Sequence, residues 1–212
     1  VAHMHNVVDG GIGNSLLLDL GKSGLIGLAF MDSGARSFYN SRHPIHSPDD
    51  MKGLKFRVMN NPIFVEMVAA LGADAVKIPF PEIYTAIKSG AVDGAENNPP
   101  TVFTQKHFEV TKYLTLTEHL IVPEILLFSK KIWDSLSELD RILIRKAAIA
   151  CSIRERELWQ QKKQQDLKAL KQHGFLILEK IDKTPFIRAT EPIRKKFGKK
   201  YTDLLKAISA MP

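Results

Sequence analysis

Short strand-like, helix-like and turn-like segments alternate between Met51 and Pro100. Residues 54–58 have the apolar content of a strand, residues 61–71 begin with an asparagine and a proline as many helices do, and residues 75–78 again resemble a strand. A glycine ends each helix-like segment. This alternation predicts an α/β domain, because strands and helices that follow each other so closely pack as a sheet covered by helices.

A second pattern occupies residues 137–173, which contain neither glycine nor proline and repeat apolar residues at helical spacing. At a rise of about 1.5 Å per residue, such a helix is on the order of 50 Å long. That length exceeds one small domain, so we predict a helix that crosses two lobes and ends before Gly174. The alternative is two helices separated by a break that leaves no signal in the sequence.

The other segments carry shorter patterns. Pro48 follows Ser47 and precedes two acids, which predicts a helix of one turn. A helix is expected at residues 6–20, and the glycine-bounded apolar run at 24–31 is typical of a buried strand. We expect further helices at 101–109 and from 185 onward, and further strands at 113–117, 121–129 and 175–179.

Charge and cysteine content limit the classes of function only loosely. The net charge of +7 suits an anionic partner, but charge alone says little about function. The single cysteine, Cys151, excludes an intramolecular disulfide and a multi-cysteine metal site. No apolar run is long enough to span a bilayer, and no signal peptide begins the sequence. Because Val1 is not an initiator residue, we expect a processed, cloned or partial form.

Catalytic chemistry has little support in the sequence. None of the seven histidines lies in a recognised catalytic or metal-binding motif. The glycines at residues 10–13 do not follow a strand, so a helix-packing role is favoured over a phosphate loop. Asp93 and Glu96 are one candidate acid–base pair, although carboxylates so close together in a turn are more often solvated or capping. We therefore predict no catalytic residue, no metal and no cofactor.

Binding of an anion is the better interpretation. Four side chains lie where predicted strands run out into loops: Arg36, Arg57, Phe80 and Asn97. Ligands of α/β folds collect beyond the carboxyl ends of strands. The arginine fork matches a carboxylate in two parallel bonds, and an asparagine offers both a donor and an acceptor. Taken singly, each residue also has an ordinary explanation in an ion pair, a turn or the core.

A longer pattern connects these residues to a known family. The matching segments are Gly34-Ala-Arg36, Pro44-Ile45, Asp49-Asp50-Met-Lys52-Gly53-Leu-Lys55-Phe-Arg57-Val58, Ala70-Leu-Gly72-Ala73, Pro79-Phe80-Pro-Glu82-Ile-Tyr84-Thr-Ala86 and Gly90-Ala-Val-Asp93-Gly94-Ala-Glu96-Asn97. With them the chain resembles the solute-binding subunit of tripartite ATP-independent periplasmic (TRAP) transporters, the family that includes C4-dicarboxylate-binding proteins. The similarity continues more loosely through Trp133 and the long helical segment.

The resemblance implies two α/β lobes around a cleft, joined by crossing strands and a long helix. It implies that the arginine matching Arg57 pairs with the carboxylate of an organic acid, and that Arg36, Phe80 and Asn97 line the same cleft. Asn60 is a further candidate because it borders the same pocket. We expect residues 1–33 to be a remnant of lobe I, 34–122 to form lobe II, 123–162 to return to lobe I with the connecting helix, and 163–212 to complete lobe II.

Family members begin with a further strand–helix region, so we expect that the first third of the protein, including its export signal, is missing here and that the first lobe is incomplete. The resemblance implies a periplasmic receptor that delivers an organic acid to the permease subunits of a TRAP transporter. An enzyme acting on an acidic small molecule and a basic nucleic-acid-binding protein remain alternatives. The basic runs at 194–196 and 199–200 are more typical of a solvated helix face, which argues against nucleic acid. Within the transporter interpretation, a sensor-coupled receptor is also possible.

Overall fold

The computed structural model describes residues 1–211 and confirms the α/β class. The strands, in chain order, are β1 (Leu25–Met31), β2 (Ala35–Asn40), β3 (Lys55–Val58), β4 (Asp74–Lys77), β5 (Gly94–Asn97), β6 (Tyr113–Ile121), β7 (Glu124–Ser129) and β8 (Leu176–Leu178). The α-helices are α1 (Ala2–Asp9), α2 (Gly11–Asp19), α3 (Pro62–Ala70), α4 (Ile83–Lys88), α5 (Pro99–Thr104), α6 (Lys130–Ser135), α7 (Glu138–Gln172), α8 (Thr184–Gly198) and α9 (Thr202–Ser209).

The chain divides into two compact units, which we call unit 1 and unit 2. Unit 1 contains Val1–Gly34, Ile121–Gln161 and the residues from Tyr201 onward, and unit 2 contains Ala35–Leu120 and Lys162–Lys200. The sequence prediction placed 163–212 together in one lobe, whereas the final helix α9 groups with unit 1.

Unit 2 is built on a six-stranded mixed sheet in the order β4-β3-β5-β2-β6-β8. Strand β3 lies parallel to β4 and β5, β2 is antiparallel to β5, and β6 is parallel to β8. Two apolar clusters form the core. One includes Phe38, Phe56 and Phe64, and the other includes Tyr39 and Leu114. Because neighbouring residues of β2 belong to different clusters, the sheet is buried on both faces.

Helix starts in unit 2 follow the capping pattern predicted from the sequence. The one-turn helix at Pro48–Met51 has a capping box in which Ser47 and Asp50 satisfy each other's backbone groups. Asn61 caps α3 by accepting a hydrogen bond from the Ile63 backbone amide, and Pro62 occupies the first helical position. These caps confirm the helix starts expected at residues 48 and 62.

Unit 1 holds a two-stranded sheet, in which β1 is antiparallel to β7, with helices packed against it. The predicted single helix at 6–20 is wrong, because the backbone at Gly10 is extended (φ −89°, ψ −167°) and separates α1 from α2. A Cβ atom at Gly13 would lie 1.8 Å from the Val8 carbonyl oxygen. Gly13 therefore allows two short helices to pack closely, which agrees with the helix-packing role expected from the sequence.

The predicted strands at 113–117 and 121–129 have different limits in the structure. Strand β6 continues from Tyr113 to Ile121, and β7 begins only at Glu124. Pro123 lies in the gap between them, where it has no backbone N–H to donate to a sheet. The proline therefore ends one strand and delays the next.

Helix α7 confirms the long uninterrupted helix. It runs for 35 residues, from Glu138 to Gln172. Trp159 lies partway along it and packs against Gly34, where an added Cβ atom would lie 2.6 Å from the indole Nε1. None of the helices within residues 1–211 combines the length and apolar character needed to cross a bilayer.

Unit 1 also contains a cavity and several exposed apolar side chains. A cavity of about 610 Å³ lies between α2, β1 and α7 and is lined by Leu17, Phe30 and Ile149 among others. Further apolar side chains of this unit reach solvent: Leu18, Leu127, Ile132, Leu139, Leu143 and Ile153. A two-stranded sheet is marginally stable by itself. The expectation that the first lobe is incomplete stays a prediction.

Candidate functional site

Arg57 lies in β3, a short strand whose neighbouring side chains Phe56 and Val58 are fully buried. The strand register places Arg57 opposite Ala95 of β5 and Val76 of β4. Its Nε donates a 2.8 Å hydrogen bond to the carbonyl oxygen of Ile78. This bond holds the guanidinium near the carboxyl ends of β3 and β4, as the sequence predicted for a strand-end arginine.

The guanidinium of Arg57 is buried and incompletely satisfied. The residue is 3% exposed, and Nη1 has no hydrogen-bond partner among residues 1–211. Burial lowers the pKa of Arg57, although arginine remains charged at neutral pH. A buried donor without a partner costs about 1–3 kcal/mol, and more when it is charged. Arg57 is therefore a strong candidate to receive an acceptor from outside the chain.

Arg36 is engaged by a buried carboxylate. Its Nε donates to Oε2 of Glu96 at 2.5 Å, and its Nη2 donates to Oε1 at 2.8 Å. The same Nη2 also donates to the backbone oxygen of Glu96 at 2.8 Å. The Glu96 side chain is fully buried and that of Arg36 nearly so. This two-point pair holds the planar guanidinium in one orientation.

Two neighbours determine the charge state of Glu96. Burial by itself raises the pKa of Glu96, but the interactions with His119 and Arg36 outweigh it and hold the pKa below its ordinary value. His119 Nε2 lies 3.6 Å from Glu96 Oε2, and the ring stacks on Phe38 with centroids 4.2 Å apart. Burial lowers the pKa of His119. At neutral pH the cluster therefore contains an ionised Glu96 beside a neutral histidine.

Asn97 follows Glu96 at the end of β5 and is buried. Its Oδ1 accepts one hydrogen bond from Arg36 Nη1 at 3.0 Å and another from the Asn98 backbone amide at 2.9 Å. Both lone pairs of this oxygen are therefore used. The expectation that Asn97 offers a ligand both a donor and an acceptor is wrong, because only the amide nitrogen is left, as a donor.

The location of Arg36 also differs from the sequence prediction. Arg36 was expected at the exit of the strand at 24–31, but that strand, β1, belongs to the separate two-stranded sheet. Arg36 instead lies near the start of β2. Because β2 is antiparallel to β5, its start lies beside the carboxyl end of β5, where Asn97 is. Arg36 therefore lies at the predicted edge of the sheet, but at the start of β2 and not at the end of β1.

The other two predicted residues lie near solvent. Phe80 begins a short 3-10 helix two residues beyond Ile78 and is 42% exposed. Asn60 is exposed in the turn between β3 and α3. Both remain candidates to contact a ligand, and both roles stay predictions. We use the name arginine site for the set that the structure holds together at this edge, which consists of Arg36, Arg57, Glu96 and Asn97.

Sequence reasoning missed a polar pair in the core beside Arg57. The Tyr39 hydroxyl lies 2.7 Å from Nδ1 of His107, and the two rings are stacked. Burial, with a smaller contribution from the positive charge of Arg57, lowers the pKa of His107 to about 4. Burial also raises the pKa of Tyr39. Both groups are neutral at pH 7, so neither compensates the charge of Arg57. An isolated histidine in a helix-like segment carries no signal of this pairing.

The proposed acid–base pair is not formed. Asp93 Oδ1 accepts from Arg42 Nε at 2.6 Å, and its Oδ2 accepts from the Lys55 backbone amide at 2.8 Å. Glu96 binds Arg36 instead. Within residues 1–211 no three histidine, cysteine, aspartate or glutamate side chains are grouped so that they could hold a metal ion.

Comparison of the sequence and the fold with known proteins identifies the family of this chain. A sequence model described as bacterial extracellular solute-binding protein, family 7, matches residues 1–200. The chain belongs to this family. The match confirms the resemblance that the segments around Arg57 and Asn97 indicated.

Family 7 relatives match nearly the whole chain. A solute-binding protein of Chromohalobacter salexigens is 41% identical over 95% of this chain and 60% of its own length. A TRAP periplasmic solute-binding protein of Pseudomonas putida F1, solved with bound D-glucuronate, is 40% identical with a TM-score of 0.94, covering 100% of this chain and 69% of that one. A TRAP periplasmic solute-binding protein of Bradyrhizobium, solved with D-galacturonate, is 42% identical with a TM-score of 0.91, covering 98% and 70%. This family 7 chain thus spans about 60% of the length of the Chromohalobacter relative.

Proposed function

We propose that this family 7 protein is a periplasmic receptor that binds an organic acid through its carboxylate and delivers the acid to the permease subunits of a TRAP transporter. The observation that carries the proposal is the buried guanidinium of Arg57, whose Nη1 lacks a partner among residues 1–211. A carboxylate oxygen supplies the acceptor that this group needs.

The neighbouring groups support the same ligand chemistry. Asn97 has its oxygen occupied and can offer only N–H donors. Arg36 has used four of its five N–H donors on Glu96 and Asn97, which leaves one on Nη1. The arginine site thus presents donors and no free acceptor, which favours an anion over a neutral polyol.

A sugar acid is the ligand class with the most support. Solved relatives that are 40% and 42% identical to this chain carry D-glucuronate and D-galacturonate in their crystals. We therefore propose a hexuronate as the first ligand to test.

We propose that the protein acts as a receptor and not as an enzyme. Asp93 and Glu96 are each committed to a separate arginine, so they do not offer a free acid and base. The nucleic-acid alternative has little support, because two lysines of the basic run at 194–196 are already in ion pairs. Lys195 pairs with Glu191 and Lys196 pairs with Glu66.

Isothermal titration calorimetry on the full-length protein tests the role of Arg57. We expect D-glucuronate or D-galacturonate to bind, and Arg57→Lys to weaken binding by about 10- to 150-fold, since a hydrogen bond to a charged group contributes about 1.5–3 kcal/mol and each 1.4 kcal/mol is tenfold. Arg42→Lys is the matched control, because Arg42 is paired with Asp93 and largely exposed. Unchanged affinity in Arg57→Lys would remove Arg57 from this role, and absence of binding by any organic acid would refute the receptor proposal.

A further inference from the structure

Glu118 has a backbone conformation that is rare for its residue type. It lies within β6, yet its φ is +46°, in the left-handed region. Among the non-glycine residues of 1–211, positive φ occurs here and at Lys106, which is exposed in the turn after α5. For a glutamate this conformation is unfavourable, because the Cβ atom crowds the backbone. Such strain persists where surrounding contacts enforce it, and it is concentrated at functional positions.

Two lysines from different segments of unit 2 bind the carboxylate of Glu118. Lys163 Nζ donates to Oε1 at 3.2 Å, and Lys183 Nζ donates to Oε2 at 2.7 Å. Burial by itself raises the pKa of Glu118, but the hydrogen bonds from the two lysines outweigh it and hold the pKa below its ordinary value. Lys163 lies in α7, whose Leu170 packs in one apolar cluster of unit 2. Lys183 directly precedes α8, whose Phe186 packs in the other cluster. The ionised carboxylate therefore joins helices from the two faces of the sheet. We call Glu118 and its two lysines the Glu118 cluster.

The left-handed residue changes the direction of the side chains that follow it. In a regular strand, successive side chains point to opposite faces of the sheet. His119 and Leu120 are consecutive, yet both contact the apolar cluster that contains Phe38. The His119 ring stacks on Phe38 with centroids 4.2 Å apart, and Leu120 packs against the same cluster. The conformation of Glu118 thus acts as a β-bulge does, since bulges redirect the side chains beside them.

His119 connects Glu118 to the arginine site. Its Nε2 lies 3.6 Å from Oε2 of Glu96, and its Nδ1 lies 2.8 Å from the hydroxyl oxygen of Thr117. A hydroxyl that donates to Nδ1 places the ring proton on Nε2, where it faces the ionised Glu96. Stacking on Phe38 and the contact with Thr117 set the plane of the ring. The distance from the ring to Glu96 therefore depends on the backbone at residue 118.

We propose that Glu118 is a positioning residue, whose backbone is held in the left-handed conformation by the two lysines so that His119 points at Glu96 and Arg36 keeps its orientation. This inference rests on the proposed function, since it assumes that an organic acid binds at the arginine site. Without the two lysine contacts, residue 118 returns to the extended backbone that strands prefer, and the side chain of His119 turns away from Glu96. Glu118 acts through His119 and needs no contact with the ligand.

Two variants of equal charge test the role of the backbone conformation. Glu118→Ala and Glu118→Gly both remove the carboxylate and release both lysines, but only glycine adopts positive φ without strain. Isothermal titration calorimetry on the full-length protein measures the affinity for D-glucuronate and D-galacturonate. For the tighter of the two acids, we expect binding at least about fivefold weaker in Glu118→Ala than in Glu118→Gly.

Lys106→Ala and Lys106→Gly are the matched control pair, because Lys106 also has positive φ but lies outside the Glu118 cluster. Their affinities should agree within about twofold. A difference between the two variants at residue 118 that is smaller than about fivefold overturns the inference, and so does an equally large difference at residue 106.

NMR spectroscopy measures the position of His119 without a ligand. Long-range ¹H–¹⁵N spectra report the surroundings of the imidazole nitrogens, and the signals of His119 are those absent from His119→Gln. We expect them to shift in Glu118→Ala and to stay near their original positions in Glu118→Gly. Signals that are the same in both folded variants, judged by circular dichroism, overturn the role of Glu118.

The NMR comparison also separates this inference from the proposed function. If neither sugar acid binds the unaltered protein, the sugar-acid proposal fails, and the His119 signals decide the inference alone. If Glu118→Ala does not fold, Glu118→Gln takes its place in both comparisons, because it too keeps a Cβ atom at residue 118 and lacks the negative charge.

Discussion

Arg36 and Glu96, separated by 60 residues in sequence, form a two-point ion pair with contacts of 2.5 Å and 2.8 Å and with the Glu96 side chain fully buried. The pair joins the start of β2 to the end of β5. It also orients Asn97, because the third nitrogen of the guanidinium donates to the Asn97 side-chain oxygen. One ion pair thus connects strand pairing to the geometry of the arginine site.

We expect Glu96→Ala to lower the free energy of unfolding by about 3–5 kcal/mol, since removal of one partner leaves the other charge buried and unpaired. Urea denaturation followed by circular dichroism measures the change. Glu66→Ala provides the comparison, because its pair with Lys196 is partly exposed and should contribute less than about 1 kcal/mol. Equal losses in the two variants would show that the buried pair has no special structural role.

Because two histidines are buried, we expect the free energy of unfolding to decrease as the pH is lowered below neutrality. In the native state the pKa of His107 is about 4, against 6.5 for an ordinary histidine. Between these values the unfolded chain binds a proton that the native state refuses, so stability is fully present above pH 6.5 and is lost as pH falls toward 4. From pH 6.5 to 5 the loss from His107 is up to about 2 kcal/mol.

Urea midpoints at pH 7, 6 and 5 test this, with His107→Gln as the variant. The glutamine keeps a polar partner for the Tyr39 hydroxyl but does not titrate. We expect a shallower pH dependence in the variant. Some dependence remains, because burial also lowers the pKa of His119. If the urea midpoints of the two proteins changed equally with pH, His107 would be excluded as the source of the pH dependence.

The sequence predicted the α/β class and the starts of most helices and strands in unit 2, because these features depend on residues that are close together in the sequence. Ser47, Pro48, Asn61 and Pro62 act within one helical turn, so their effect can be recognised locally. Arg57 was placed correctly for the same reason, since a short apolar strand ends beside it. Local patterns therefore determine where elements begin and which residue lies at a strand end.

Contacts between side chains on different strands could not be predicted from such local patterns. The Arg36–Glu96 pair depends on the register between β2 and β5. The 3.6 Å distance between His119 Nε2 and Glu96 Oε2 depends on the position of β6, which contains His119 and lies beside β2 in the sheet. Nothing within a few residues of Arg36 specifies that register. The occupied oxygen of Asn97 follows from the same pairing, which is why its donor-only character became visible only in the structure.

Gly34 and Gly24 allow a matched test of the packing of α7. Both have positive φ, +68° and +74°, but a Cβ at Gly34 would lie 2.6 Å from Trp159 Nε1 whereas nothing lies within 4 Å at Gly24. We expect Gly24→Ala to cost about 1–2 kcal/mol from backbone strain alone. Gly34→Ala should cost about 1–3 kcal/mol more, as overpacking does. Chemical denaturation measures both, and the excess should largely vanish in a Trp159→Ala background. An excess that persists there would mean that Trp159 is not its cause.

The donor-only character of Asn97 predicts a large effect from a nearly isosteric change. In Asn97→Asp the retained oxygen can still accept from Arg36 and from the Asn98 amide, so the fold should survive. The second oxygen replaces the amide donors with negative charge and repels a carboxylate. We expect the affinity for D-glucuronate to fall more than about 100-fold, since loss of a charged hydrogen bond and new like-charge repulsion act together.

Asn61→Asp is the control for Asn97→Asp, because Asn61 caps α3 and an aspartate serves equally well at a helix start. Its affinity should match that of the unaltered protein. Calorimetry at constant ionic strength measures the affinity of each variant for D-glucuronate, and thermal melting shows whether both variants fold. If Asn97→Asp bound the sugar acid as tightly as Asn61→Asp, the amide of Asn97 would not face the ligand. The anion would then have to be held by Arg57 without it.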